Sequence, residues 1–267
     1  MAVNRDIERV AMVVHDGKPK AVELQRELTG YLAERKVTVG DDAQLVVSLG
    51  GDGTMLRAAR LAHSLDAPLL GVNLGLLGYL SEVDPTNARA ALDRIIAGDF
   101  EIEERMMLSC VVMDEESPVT FVGLNEALVE RSGRHRLVRL TVKIGGESLA
   151  AFNADGVIVA TPTGSTAYAL SVGGPIVSPR AECLILVPIS AHMIFSRPFV
   201  LSADETVEIA VEGEDQEASL SLDGNDGALL RAGVPVIVRR DERPLRLVRL
   251  GGPGFVERLR KKLDLPV

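Results

Sequence analysis

The residues best placed to do chemistry in this chain are Leu49-Gly50-Gly51-Asp52-Gly53-Thr54. The run 45–49, apolar but for Ser48, predicts a buried strand before them. A helix is expected to begin near Thr54 and to carry Met55, Leu56, Ala59 and Leu61. Such a strand-to-helix turn lies at the carboxyl edge of a parallel sheet, where open α/β folds bind ligands. Gly50, Gly51 and Gly53 would let backbone approach a phosphate chain, and the helix N-terminus would supply amide donors and partial positive charge. The bland alternative is a tight turn with Thr54 as its N-cap. An acid set between glycines at this edge favours the ligand site.

A second constellation runs from Asn153 through Asp155 to Tyr168. It places an acid before the apolar run 156–160 and a loop after it that carries Thr161, Thr163, Ser165, Thr166 and Tyr168. Five hydroxyls exceed what a plain turn needs, although a Ser/Thr loop capping the next helix is the competing reading. Asn125 and Glu126 put an amide and an acid into an apolar stretch, as a buried hydrogen-bonded pair or as a ligand site.

Absences narrow the chemistry further. No lysine stands between Lys36 and Lys143, or between Lys143 and Lys261, and no G-x-x-x-x-G-K-[ST] occurs. A P-loop lysine is therefore excluded. No G-x-G-x-x-G follows a strand, which removes the ordinary dinucleotide fingerprint. A polyphosphate bound to this chain would be neutralised by backbone amides, arginines and a divalent cation. The four histidines are scattered without metal-ligand spacing, so no metal ligand is assigned, and no G-x-S-x-G marks a hydrolase.

These groups need positioning elements. A β-branched run at 7–14, a helix from about Pro19 to Arg35 with Leu24, Leu28, Tyr31 and Leu32 on one face, the strand 45–49, a strand at 68–72 and a helix from about Pro85 to Ile96 alternate along the first hundred residues. That alternation predicts a doubly wound parallel α/β domain over residues 1–99. From Phe100 short β-branched runs take over, at 108–113, 138–144, 156–160, 184–188, 206–211 and 234–239. They predict an all-β, antiparallel second domain over 100–253, with a hairpin region in 213–227. The tail 254–267 begins as a short amphipathic helix, basic at its end, expected to pack back on the first domain.

With 267 residues and 46% apolar composition the chain can bury a real core. Its net charge of −9 and nine aromatic residues argue against a nucleic-acid surface. No apolar run is long enough to cross a membrane, and charged Arg5, Asp6, Glu8 and Arg9 do not fit a secretory signal. Cys110 and Cys183 sit in apolar runs as buried free thiols of a reducing compartment, so a cytoplasmic protein is expected.

Taken together, the motifs resemble the NAD kinase family. Gly50 to Thr54 matches its glycine-aspartate motif, and 71–80 resembles its second loop, in which Asn73 lies. Asn125-Glu126 matches its Asn-Glu pair, and Asp155 through Tyr168 to Ser171 and 173–176 matches its longest signature. Arg197-Pro198 and Asp223-Gly224-Asn225 resemble later landmarks. The resemblance implies transfer of the γ-phosphoryl group of Mg²⁺-ATP to the 2′-hydroxyl of the adenosine ribose of NAD, giving NADP. It implies Asp52 as general base, Gly53 and its neighbours at the phosphates, and Asn125 and Glu126 at the adenosine. Asp155 with Thr163, Thr166, Ala167, Tyr168 and Ser171 would hold the rest of the dinucleotide. It also implies a homo-oligomer, dimer or tetramer, in which Asp155 and Tyr168 belong to a shared site. Asn153 stands where many members carry arginine, and Asn225 where many carry glutamine. Both bear on the choice between NAD and NADH and between ATP and inorganic polyphosphate. Arg57 and Arg136 are candidates for compensating charge, with solvated surface roles as the competing reading. The Gly-Gly-Asp-Gly-Thr loop also occurs in lipid kinases and resembles that of a sugar-phosphate kinase. Those, with a non-catalytic nucleotide sensor, are the rival readings.

Overall fold

The structure is a computed structural model describing residues 7–15, 17–75, 78–113, 117–133, 137–191, 197–213 and 215–266. The chain forms two compact units, one of residues up to Glu104 with those from Leu245 onward, the other of Arg105–Pro244.

The first unit opens with β1 (Arg9–Val14), α1 (Pro19–Glu34), β2 (Thr38–Val39), β3 (Leu45–Gly50), α2 (Asp52–Ser64) and β4 (Leu69–Asn73). A single 3₁₀ turn, Pro85–Asn87, leads into α3 (Ala88–Ile96), and β5 (Glu101–Arg105) follows. All six residues of β3 are buried, because a central parallel strand is covered on both faces. Proline at the first turn starts α1, whose buried stripe is Ala21, Leu24, Leu28 and Leu32. Tyr31 lies beside that stripe and hydrogen-bonds Asp93 at 2.5 Å. On α2 the apolar face approaches β4 so closely that a Cβ on Gly71 would stand 2.7 Å from Met55 Sδ. The helix begins at Asp52 rather than near Thr54, so the acid occupies the first turn instead of the preceding loop.

The second unit holds β6 (Leu108–Val112), β7 (Val119–Gly123), β8 (Glu126–Arg131), β9 (Val138–Ile144), β10 (Glu147–Ala154) and β11 (Gly156–Ala160). A one-turn helix α4 (Tyr168–Ser171) precedes β12 (Cys183–Ile189), β13 (Phe199–Ser202), β14 (Val207–Val211), β15 (Glu217–Leu222), β16 (Asn225–Arg231) and β17 (Val236–Arg240). Two six-stranded sheets result, ordered β10-β9-β14-β17-β6-β7 and β13-β12-β11-β8-β15-β16. Their pairings are antiparallel, and Leu140, Val142, Val157, Leu186, Val207 and Val238 share the core cluster to which both sheets contribute. The strand β11 is buried on both faces, its outer one packing Ile158 and Ala160 with Ala169 of α4. That explains its unbroken apolar sequence. The hairpin of β15 and β16 turns at Asp223-Gly224, both at positive φ (52° and 71°), as a type I′ turn requires.

The chain then rejoins the first unit through β18 (Leu245–Arg249) and α5 (Phe255–Lys262). The sheet of that unit is ordered β2-β1-β3-β4-β18-β5, with β1 parallel to β2 and β3, and β4 parallel to β3 and β18. Re-entry at Leu245 precedes the expected boundary at 253. The segment Leu-Arg-Leu-Val-Arg holds a single β-branched residue and does not stand out in the sequence as a strand.

Candidate nucleotide-binding and active site

In the first unit the carboxyl end of β3 delivers Gly50, Gly51 and Asp52 to the sheet edge. The three glycines of this loop do different things. A Cβ on Gly50 would lie 2.2 Å from Thr54 Oγ1, so Gly50 lets the first turn of α2 fold over the strand. Gly51, the N-cap residue, and Gly53 have nothing within 4 Å of an added Cβ, and their bare backbone borders open space. Thr54 is buried inside the helix's first turn and caps nothing. Helix N-terminal amides lack intrahelical acceptors and favour negative charge, which suits both Asp52 and an approaching phosphate.

The Asp52 carboxylate is held asymmetrically. Its Oδ2 accepts a long bond from the Tyr79 amide at 3.4 Å. Its Oδ1 is buried without a hydrogen-bond partner, and a Cβ on Gly78 would stand 2.1 Å from it. Gly78 therefore leaves room for the acid. Asn73 ends β4, and its Oδ1 accepts the Gly75 amide at 3.1 Å, shaping the neighbouring loop. Arg57 on α2 donates from Nη2 to the Val14 carbonyl at 2.9 Å, so it is tied to the end of β1 while its side chain remains largely exposed.

The second unit gathers the other predicted residues. Glu126 opens β8 with 8% exposure, and its Oε2 is buried without a partner. Burial, reinforced by the negative charge of Asp223, pushes its carboxyl up to about 7. Asp223, which the motif reading assigns no role, organises this corner of the unit. Curled back from its type I′ turn, it accepts the amides of Leu124 (2.8 Å), Asn125 (2.7 Å) and Glu126 (3.2 Å). It thereby fixes the backbone of the Asn-Glu pair. Its signal in the sequence is its place in Asp-Gly-Asn, which marks a turn and no more. Asn225 donates to the carbonyls of Asp223 (3.0 Å) and Leu222 (3.4 Å), and so closes the turn.

Gly164 packs against Asn125 so tightly that a Cβ would stand 2.0 Å from the Asn125 carbonyl oxygen. The hydroxyls of the loop that contains it are largely spent on the loop. Thr161 donates to Leu124 O (2.6 Å), and Ser165 donates to Pro162 O (2.7 Å) while accepting the Val177 amide (3.0 Å). Thr166 bonds Thr163 O at 3.3 Å, and Thr163 Oγ1 accepts from the buried Arg105 at 3.3 Å. The expectation that these hydroxyls are surplus is corrected here, because most of them hold the loop. Ala167 joins this loop to α4, and Tyr168 and Ser171 on α4 are exposed. Asp155 accepts Arg131 Nε at 2.6 Å. Asn153 is exposed on β10 opposite Arg139 of β9. Arg136 lies outside the described residues. No group of three His, Cys, Asp or Glu able to hold a metal ion occurs among the described residues, and no helix there is long and apolar enough to cross a membrane.

The fold is shared with solved kinases of nicotinamide dinucleotides. It is similar to a crystal structure of yeast NADH kinase complexed with NADH, at a TM-score of 0.91 and 24% identity, covering 98% of this chain and 89% of that one. It is also similar to an NAD kinase from Archaeoglobus fulgidus in complex with ATP, with TM-score 0.75, 27% identity and coverage of 96% and 97%. Residues 38–100 match the ATP-NAD kinase N-terminal domain and residues 124–250 the ATP-NAD kinase C-terminal domain. The NAD kinase of Heliobacterium modesticaldum is 40% identical over 96% of this chain and 98% of its own length. That of Leifsonia xyli is 46% identical over 85% of this chain and 75% of its own. The chain belongs to the ATP-NAD kinase family, and is a phosphotransferase.

Proposed function

We propose that this protein transfers the γ-phosphoryl group of ATP to the 2′-hydroxyl of the adenosine ribose of NAD, releasing NADP and ADP. The observation that carries the reading is Asp52, a carboxylate at the sheet edge with one oxygen buried and unpartnered beside open glycine backbone. A carboxylate within hydrogen-bond reach of an acceptor hydroxyl orients it and takes its proton as the bond to phosphorus forms. Phosphoryl transfer asks for little else beyond positioning and charge neutralisation. The bare backbone at Gly51 and Gly53 and the start of α2 receive phosphate oxygens, with Thr54, Asn73 and Arg57 shaping the surroundings. Mg²⁺ enters as part of the substrate, Mg-ATP. Bound to the phosphates, it would neutralise their charge, which the chain itself meets here with backbone amides rather than a P-loop lysine.

In the same reading, Asn125 and Glu126 bind the adenosine of NAD, and Asp155 with Thr163, Thr166, Ala167, Tyr168 and Ser171 holds the remainder of the dinucleotide. Asn153 and Asn225 tune the choice between NAD and NADH. The protein works as a cytoplasmic dimer or tetramer whose shared site includes Asp155 and Tyr168. Incubation with Mg-ATP and NAD, read by enzymatic cycling of NADP, tests the activity, and light scattering on the active fractions tests the assembly. Absence of NADP with NAD and with NADH contradicts the function. A fully active monomer contradicts the shared site alone.

A further inference from the structure

The glycine-aspartate loop has no lysine near it in sequence, yet the fold brings one from the far end of the chain. The helix α5 is locked to the first unit by Arg258, which is 2% exposed. Its guanidinium donates to Glu82 Oε2 at 2.8 Å, to Pro253 O at 2.8 Å and to the Ser81 carbonyl. Glu82, equally buried, also accepts Arg249 at 2.7 Å and the amides of Leu250 and Gly252 at 3.1 and 2.8 Å. The backbone at Gly78 and Tyr79, just before the residues Arg258 grips, lies against Asp52. One turn further along α5, on the same face as Arg258, Lys262 places Nζ 3.9 Å from Asp52 Oδ2 and 5.0 Å from the centre of the Tyr79 ring.

We propose that Lys262 is a further residue of the phosphoryl-transfer site, its ammonium contacting the oxygens of the γ-phosphoryl group. The proposal rests on the kinase reading of Asp52. Substrate geometry connects the two residues. An acceptor hydroxyl held by Asp52 lies about 2.6–3.2 Å from its carboxylate. The attacked phosphorus lies about 3–3.5 Å beyond that oxygen. A lysine beside the same carboxylate is within reach of the phosphoryl oxygens, over which the transition state spreads its charge. The 3.9 Å separation is too long for a hydrogen bond, and the side chain keeps 30% exposure, so the ammonium is free to turn toward an arriving phosphate. The buried Arg258–Glu82 pair fixes the stem from which it turns.

The test uses the full chain as Lys262→Met, Lys262→Arg and, as control, Lys261→Met, since Lys261 is paired with Glu257 at 2.8 Å. Turnover is measured with NAD, and binding of ATP and of ADP is measured by calorimetry without acceptor. Lys262→Met is expected to lose about 10²-fold in kcat with little change in KM for NAD. Its preference for ATP over ADP should fall about tenfold, arginine should restore at least about a tenth of wild-type kcat, and Lys261→Met should match wild type. A kcat for Lys262→Met within about threefold of wild type, or an unchanged ATP-to-ADP ratio, overturns the proposal. So does an equal loss in Lys261→Met. Wild-type protein that binds ATP but does not phosphorylate NAD would sink the acceptor reading alone, and the ATP-to-ADP comparison would still decide the role of Lys262.

Discussion

Asp52 and Asp223 are both acids beside glycine in a tight turn, one in each unit, and the structure treats them in opposite ways. Asp223 is 7% exposed and saturated by three consecutive backbone amides. Asp52 accepts one long bond, and its Oδ1 is buried with none. A carboxylate whose lone pairs are filled by its own chain is scaffold. One left with an unmet acceptor at a sheet edge, where burial without a partner costs stability, is held ready for a ligand. The glycines beside them divide in the same way. Gly224 supplies the positive φ of a turn, whereas Gly51 and Gly53 border empty space that no packing demand explains.

The sharpest way to break this contrast is Asp52→Asn, which keeps shape and removes the base. Steady-state kinetics should show at least a hundredfold loss of kcat, within the usual span for a general base. Calorimetry should show NAD binding retained. Melting should move little, because the lost favourable interaction with the start of α2 is worth only about 0.3–1 kcal/mol.

Asp223→Asn should do the reverse. Asparagine tolerates the left-handed backbone at this position, so the turn is not strained. The amide cannot accept all three bonds, and a loss on the order of 2–4 kcal/mol is expected in denaturant unfolding. KM for NAD should rise while kcat stays within about tenfold of wild type.

Glu126 sharpens the comparison through pH. Its folded-state carboxyl titrates at about 7, above the ordinary glutamate value of 4.5 that holds in the unfolded chain. Its contribution to stability is therefore complete below the ordinary range and is lost as pH rises toward and through about 7. The slope of melting temperature against pH across that window should flatten in Glu126→Gln. If the ionised carboxylate accepts a hydrogen bond from the adenosine, affinity for NAD should rise from about pH 6 to about pH 8 in wild type and not in the variant. An identical pH profile in both would remove Glu126 from the binding site. The smallest effect is expected at Asn153→Arg. An exposed charge contributes about 0.2–1 kcal/mol, so the NAD-to-NADH ratio of kcat/KM should shift by no more than about fivefold. No shift means that this position does not read the nicotinamide.

Much of this contrast could be anticipated on one side only. The strand 45–50 and its loop are legible because a strand covered on both faces reads as a near-continuous apolar run, broken here only by Ser48, and a glycine cluster follows it. The sequence puts the start of α2 near Thr54 and the structure two residues earlier, because glycine and aspartate weigh against a helix interior although both suit its start. Asp223 reads locally as a turn acid, and its partners lie nearly a hundred residues away. Lys262 reads as the basic end of an amphipathic helix, and only the docking of α5 through Arg258 brings it to Asp52. Strand β18, with Val248 as its only β-branched residue, gives no clear strand signal, and its partner β4 lies far back in the chain. Local pattern reports what an element is, and side-chain partners across the chain report what it serves.

The central claim is that an unmet acceptor marks the reacting acid and a saturated one the scaffold. The most direct measurement is kcat and unfolding free energy on Asp52→Asn and Asp223→Asn side by side. The account predicts that the first loses at least about a hundredfold in kcat with about 1 kcal/mol or less in stability, and that the second loses several kcal/mol with kcat within about tenfold of wild type. An Asp52→Asn enzyme that keeps more than about a tenth of wild-type kcat, or an Asp223→Asn protein as stable as wild type, would contradict it.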